Sequence, residues 1–172
     1  MDQAQIERLV FLEVTILVPL ILAVAVHEWA HIAMARWLGD STGTSLGRFT
    51  LNPIAHIDPL WTVLLPAYFV FLQAATPFPV PFFGAGKPAP YNPAKLDRHI
   101  GGKRISMRTG EALVALAGPM SNVVMALVAV VGVIALNATG SSVHEMHSPA
   151  ALLFRFALLN VNLAIFNLIP VA

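Results

Sequence analysis

A chain of 172 residues that is 57% apolar, with a mean hydropathy of +0.73 and only 11% charged residues, lacks the surface of a soluble enzyme, because soluble domains carry about 25% charge. The same composition excludes intrinsic disorder, which needs low hydrophobicity and high charge, and a net charge of +1 gives no basis for binding nucleic acid. With no cysteine there is neither a disulfide framework nor a thiolate ligand, so any metal must be held by His, Asp, Glu or Asn.

The charges are unevenly spread. Residues 59–86 and 112–136 carry none, and residues 146–172 carry only Arg155. Apolar runs of about 20 residues are what a hydrocarbon core of about 30 Å requires of a spanning helix. The chain therefore reads as one all-α polytopic membrane domain over residues 1–172, with the lipid bilayer as its surroundings. The first stretch, residues 9–38, is interrupted by Glu13, Glu28 and Arg36 and is followed by Gly39, a helix stop. Ala23-Val24-Ala25 has the spacing of a signal-cleavage site, but Asp2, Glu7 and a lone Arg8 ahead of it do not make the basic start of a signal peptide.

Residues 40–59 form a polar linker with Gly43, Gly47, Asn52-Pro53 and Asp58-Pro59, all turn chemistry. The second stretch, residues 60–83, is broken by Pro66, Pro77, Pro79 and Pro81; it is short for a span and suits a re-entrant or interfacial segment. Residues 84–110 hold six of the ten Lys and Arg, which makes this loop cytoplasmic by the positive-inside rule. The third stretch, residues 112–136, is the cleanest span. A short loop with His144 and His147 follows, and the fourth stretch, from about residue 150, is still apolar at Ala172.

The chemistry lies inside the first stretch. His27-Glu28-Trp29-Ala30-His31 has the H-E-x-x-H pattern. Two His at i and i+4 share one helix face and can reach one ion, while the Glu between them can deprotonate a water that the ion polarises. Ionisable side chains in an apolar helix are costly and mark a site by default. The competing readings are a helix end that caps and faces water, and an ion or proton path through a transporter. Zinc needs a third protein ligand, with the fourth position left for water. Asn162 and Asn167 in the last apolar stretch, and His56 and Asp58 in the linker, are the candidates. His144 and His147 sit on the far side of the membrane from the basic loop and read as a solvated loop.

These residues resemble the site-2 proteases, a family of intramembrane zinc metalloproteases, in its small prokaryotic branch. The likeness runs in order through His27 to His31, residues 51–59 (LNPIAHIDP), residues 84–90 (GAGKPAP) continuing to Tyr91-Asn92-Pro93, residues 117–122 (AGPMSN) and residues 166–171 (FNLIPV). It implies that His27 and His31 are zinc ligands, that Glu28 is the general base, and that Asn167 stabilises the tetrahedral intermediate or orients substrate. Gly118 and Asn122 would belong to a close-packed pair of core helices, with Asn122 either packing or taking part in the site. Residues 84–88, with Gly84 and Gly86, read either as a strand edge that holds an extended substrate by addition or as a simple surface turn. In the family the last motif continues to Leu-Asp-Gly, whose Asp is the third ligand. That Asp would fall about three residues past Ala172, so the sequence reads as stopping short of a complete zinc site.

The implied function is hydrolysis of peptide bonds in or beside transmembrane segments of membrane proteins, in a prokaryotic plasma (inner) membrane, with Zn²⁺ as cofactor. For zinc to bridge the first and last helices, both must present their ligands in the cytoplasmic half. That requires three full spans, an outside N-terminus and a second stretch that does not cross. The alternatives are a non-catalytic membrane binding protein and, with ligands needed on both sides of the midplane, a divalent-metal transporter.

Overall fold

The computed structural model describes residues 3–76, 86–145 and 147–169. The chain is an all-α polytopic membrane protein. Among the described residues three helices are long and apolar enough to cross a membrane: α1 (Gln3–Trp37), α4 (Met107–Ala138) and α5 (Pro149–Leu168). Between them lie a one-turn helix α2 (Thr42–Ser45), a π-helical turn (Pro59–Leu64) running into the short helix α3 (Leu65–Ala75), and a two-residue hairpin of β1 (His99–Ile100) and β2 (Lys103–Arg104).

Burial follows the logic of a bilayer. Many large apolar side chains point outward: Val10, Val14, Val18 and Leu22 line one stripe of α1 at every fourth residue, and Leu116, Met120, Val124, Leu127 and Val131 line one of α4 at steps of three or four. Many buried positions are small or polar, among them Ala23, Ala126, Ala129, Ala157 and Ala164, with Asn122 and Asn160 fully enclosed, beside a few larger ones such as Leu20, Ile32 and Leu38. Lipid rewards neither face hydrophobically, so small residues that let backbones approach, and polar groups that find partners, decide what packs inside.

The direction of each helix follows from its contacts. His27 and His31 of α1 meet Asn122 and Val114 of α4, so these helices are antiparallel. Asn122 meets Asn160, and Gly132 approaches Leu153, so α4 and α5 are antiparallel too. Helices α1 and α5 therefore run the same way, as the three-span expectation requires. The shorter apolar helix of the second stretch, Pro59–Gln73, is not among the span-length helices.

Capping sets the element ends. Ser106 starts α4 by accepting from the Thr109 N–H, and Ser148 starts α5 by accepting from the Ala151 N–H, with Pro149 at the first helical position. Helix α1 ends at Gly39, whose φ of 115° is open mainly to glycine. Beyond it the loops form a cap. The Asp40 carboxylate accepts from the Thr42 N–H and hydroxyl and, at 2.7 Å, from the Asn92 N–H. The Leu38 carbonyl accepts from both Asp97 and Arg98. Ala35, Leu38, Leu96 and Val114 close a small apolar cluster beneath. These ties hold residues 92–98 against the end of α1 that carries the histidines.

Candidate metal and catalytic site

Val24, His27, Glu28 and His31 recur at helical spacing on one face of α1 and line a cavity of about 400 Å³. Its other walls are Gly86, Pro88, Ala89 and Tyr91 from the cap, Val114 and Ala115 from α4, and Leu163 and Asn167 from α5. His27 and Glu28 are buried, each 7% exposed.

The two imidazoles present their Nε2 atoms to each other at 3.0 Å. Both Nδ1 atoms are engaged elsewhere. His31 Nδ1–H donates to the Val114 carbonyl at 2.6 Å, and His27 Nδ1 lies 2.5 Å from Asn122 Oδ1. A carbonyl oxygen can only accept, so each ring carries its proton on Nδ1 and turns an unprotonated Nε2 inward. Two lone pairs at hydrogen-bond distance repel unless something positive lies between them. Beside them, Glu28 Oε2 is buried with no hydrogen-bond partner in the protein. Such orphaned acceptors are rare in folded proteins.

A missing side chain keeps the space clear. A Cβ on Gly118 would lie 2.3 Å from His31 Nε2 and 2.6 Å from His27 Nε2. A Cβ on Gly86 would meet Val24 at 2.5 Å and Glu28 at 3.2 Å. Two facing imidazole lone pairs, an orphaned carboxylate oxygen and a glycine floor fit a cation with nitrogen affinity, and zinc takes imidazole at this kind of donor set. Among the described residues no third His, Cys, Asp or Glu joins the pair to complete a metal-binding group.

The other residues singled out by sequence are placed as follows. Asn167 lines the cavity and donates one amide N–H to the Leu163 carbonyl at 2.7 Å. Asn122 touches His27 directly rather than serving only helix packing. Gly86 lies over Glu28, whereas Gly84 falls outside the described residues. His56 and Asp58 do not line the cavity. His56 Nε2–H donates to the Thr50 carbonyl at 2.7 Å, and burial lowers the His56 pKa below the usual imidazole range. Asp58 caps the π-helical turn, accepting from the Leu60 and Trp61 N–H groups at 3.0 Å each. Asn162 is exposed on the outer side of α5. The residue that sequence reading passed over is Asn160, fully buried and bonded to Asn122 at 2.9 Å. The available signal was its spacing: Asn160 and Asn167 are seven apart, two helical turns on one face, while Asn162 falls on the other.

The chain is 32% identical, over 158 residues, to a protein of Bacillus subtilis (strain 168) named "Putative zinc metalloprotease YwhC". The match takes in 90% of this chain and 62% of that protein, so the chain spans somewhat under two thirds of its relative's length. No family profile matches the chain, and no solved structure matches it significantly.

Proposed function

We propose that the chain forms the membrane core of a zinc metalloprotease of the site-2 protease type, hydrolysing peptide bonds in or next to transmembrane segments of other membrane proteins. One observation carries the reading: two inward Nε2 atoms 3.0 Å apart share a cavity with a buried, unpartnered Glu28 oxygen. The name of the Bacillus relative supports it. His27 and His31 would hold the metal through Nε2. Zinc bound there would supply Lewis acidity, polarising a scissile carbonyl and lowering the pKa of a water.

The chain's own groups do the rest. Glu28 takes the proton of the attacking water at Oε2 and returns it to the leaving amine. Asn167 spends one amide N–H on Leu163, which leaves a second N–H and its oxygen to orient the peptide or the developing oxyanion. The Lys87 backbone is already used: its N–H donates to the His56 carbonyl at 2.9 Å and its carbonyl accepts from Arg48 at 2.8 Å. The Ala89 N–H donates to the Glu28 carboxylate, so a substrate strand would add through the neighbouring Gly86, which lines the cavity. In this reading the site opens toward the cytoplasmic half of a prokaryotic plasma membrane, on the side of the basic loop.

The test is cleavage of a quenched single-span peptide by the full-length protein in nanodiscs, with zinc measured in the same samples. Glu28→Gln is expected to abolish cleavage and keep zinc, and His27→Ala to lose zinc. A wild-type protein that holds no zinc, or a Glu28→Gln variant that cuts at the wild-type rate, would falsify the proposal.

A further inference from the structure

Asn160 lies fully enclosed in α5 and does not line the cavity that holds the histidines, yet it stands at the end of a chain of side-chain hydrogen bonds that leads to His27. Its Nδ2 donates to the Phe156 carbonyl one turn back at 2.9 Å. A backbone carbonyl cannot donate, so the Asn160 oxygen must face the other way, where it receives the Asn122 Nδ2–H at 2.9 Å. That leaves Asn122 with its own oxygen toward His27 Nδ1 at 2.5 Å. An amide oxygen has no proton to give. The His27 proton therefore sits on Nδ1, and Nε2 keeps its lone pair toward His31.

We propose that Asn160 is a positioning residue that, by orienting the Asn122 amide, fixes the tautomer and ring direction of His27 for metal binding. The proposal rests on the zinc reading for the ligand but not for the tautomer. Metal-bound histidines commonly donate their second N–H to a carbonyl or carboxylate, which settles which nitrogen faces the metal. His31 has such a partner directly in the Val114 carbonyl. His27 meets an amide, and an amide has two faces. Turned over, Asn122 would set its N–H₂ against Nδ1, drive the proton to Nε2 and aim that proton at His31. Asn160 is the group that makes the turned orientation unfavourable, because its oxygen would then face the Asn122 oxygen. The dependence runs across three helices: α5 holds Asn160, α4 holds Asn122, and α1 holds the ligand.

The test uses Asn160→Leu, Asn122→Asp and the double variant in the full-length protein in lipid nanodiscs. Helical content and thermal midpoint confirm folding. If Leu crowds the α4–α5 contact, Asn160→Ala removes the same acceptor without added bulk. Two quantities are read: the ring ¹⁵N shifts of His27 without metal, assigned by their loss in His27→Ala, and zinc affinity by competition with a chelator. The wild type is expected to show His27 protonated at Nδ1. Asn160→Leu is expected to show a mixture of tautomers and an affinity about 10-fold lower.

The Asn122→Asp background reverses the expectation. A carboxylate accepts from His27 whichever way it is turned, and its second oxygen would face the Asn160 oxygen. Adding Asn160→Leu there is expected to leave affinity unchanged or raise it. An equal loss of affinity from Asn160→Leu in both backgrounds would indicate a packing role and overturn the proposal. An unchanged His27 tautomer in Asn160→Leu would overturn it as well. A wild type that binds no zinc defeats the zinc reading alone, since the nitrogen shifts still decide whether Asn160 governs the tautomer.

Discussion

At Gly118 the space that any side chain would fill is taken by the two imidazoles, and the backbone of α4 can approach α1 only because that Cβ is absent. Forcing extra atoms into a packed interior costs about 1–3 kcal/mol. Gly118→Ala is expected to lower stability by about that much and to reduce the zinc held per chain, read by metal analysis alongside a melting curve. A variant with full zinc content would show that the ligand pair does not need this clearance. Asp40 makes a different residue-level prediction. Burial alone would raise its pKa, but the Thr42 hydroxyl, the Asn92 and Thr42 N–H groups and nearby Lys95 outweigh burial and hold it below the usual carboxylate value. A carboxyl with a depressed folded pKa stabilises the fold fully above its unfolded value of about 3.9, and that stability is lost as pH falls through the folded pKa. The melting-temperature gap between wild type and Asp40→Asn is therefore expected to be constant above about pH 5 and to shrink below about pH 4. A gap that widens on acidification would contradict it.

The element ends were legible in sequence because capping is local. Gly39, Asn52-Pro53 and Asp58-Pro59 act where the sequence placed turn chemistry, and Asn92 and the Ser before each of the last two helices, which the sequence reading did not single out as caps, cap by the same local chemistry. Gly39 also sits where a Cβ would lie 2.9 Å from the Lys95 carbonyl, so chain direction and close approach both require glycine. Gly39→Ala is expected to cost on the order of 1–2 kcal/mol from the left-handed conformation alone. Because this corner holds residues 92–98, which lead directly from the cavity-lining Ala89 and Tyr91, peptide cleavage should suffer more than zinc binding. Thermal unfolding and zinc content on the same sample would separate the two. The helix contacts were less legible. Every face of these helices is rich in apolar residues, so periodicity does not say which stripe meets lipid and which meets protein. The outward stripe of large residues and the inward set of alanines became distinct only once the helices were placed.

Across the whole molecule, the parallel run of α1 and α5 brings Asn167 to the same cavity as the H-E-x-x-H residues. The cap that joins residues 38–40 to residues 92–98 puts both loops at one end of the bundle, and the α4–α5 turn lies at the other. The absence of native cysteine makes this directly measurable. Single cysteines at residues 42–47 and at 101–102 are expected to be labelled from one side of the membrane, and a cysteine at residue 142 from the other. By the positive-inside rule the first side is expected to be the cytoplasm. Labelling of residues 42–47 from outside the cell would overturn that orientation.

Composition, charge-free runs and the H-E-x-x-H pattern were enough by themselves to establish a membrane protein and to bring two histidines and a glutamate to one helix face, because hydropathy and i, i+4 spacing are local properties of the chain. The tertiary structure alone decided that Gly118 clears room for the two imidazoles and that His56 and Asp58 serve the linker's turns. It also decided that Asn160, not Asn162, reaches toward the site through Asn122. The physical reason is that a polar group in an apolar helix must find a partner, but which partner depends on how three helices cross, and helix crossing is set by contacts far apart in the chain.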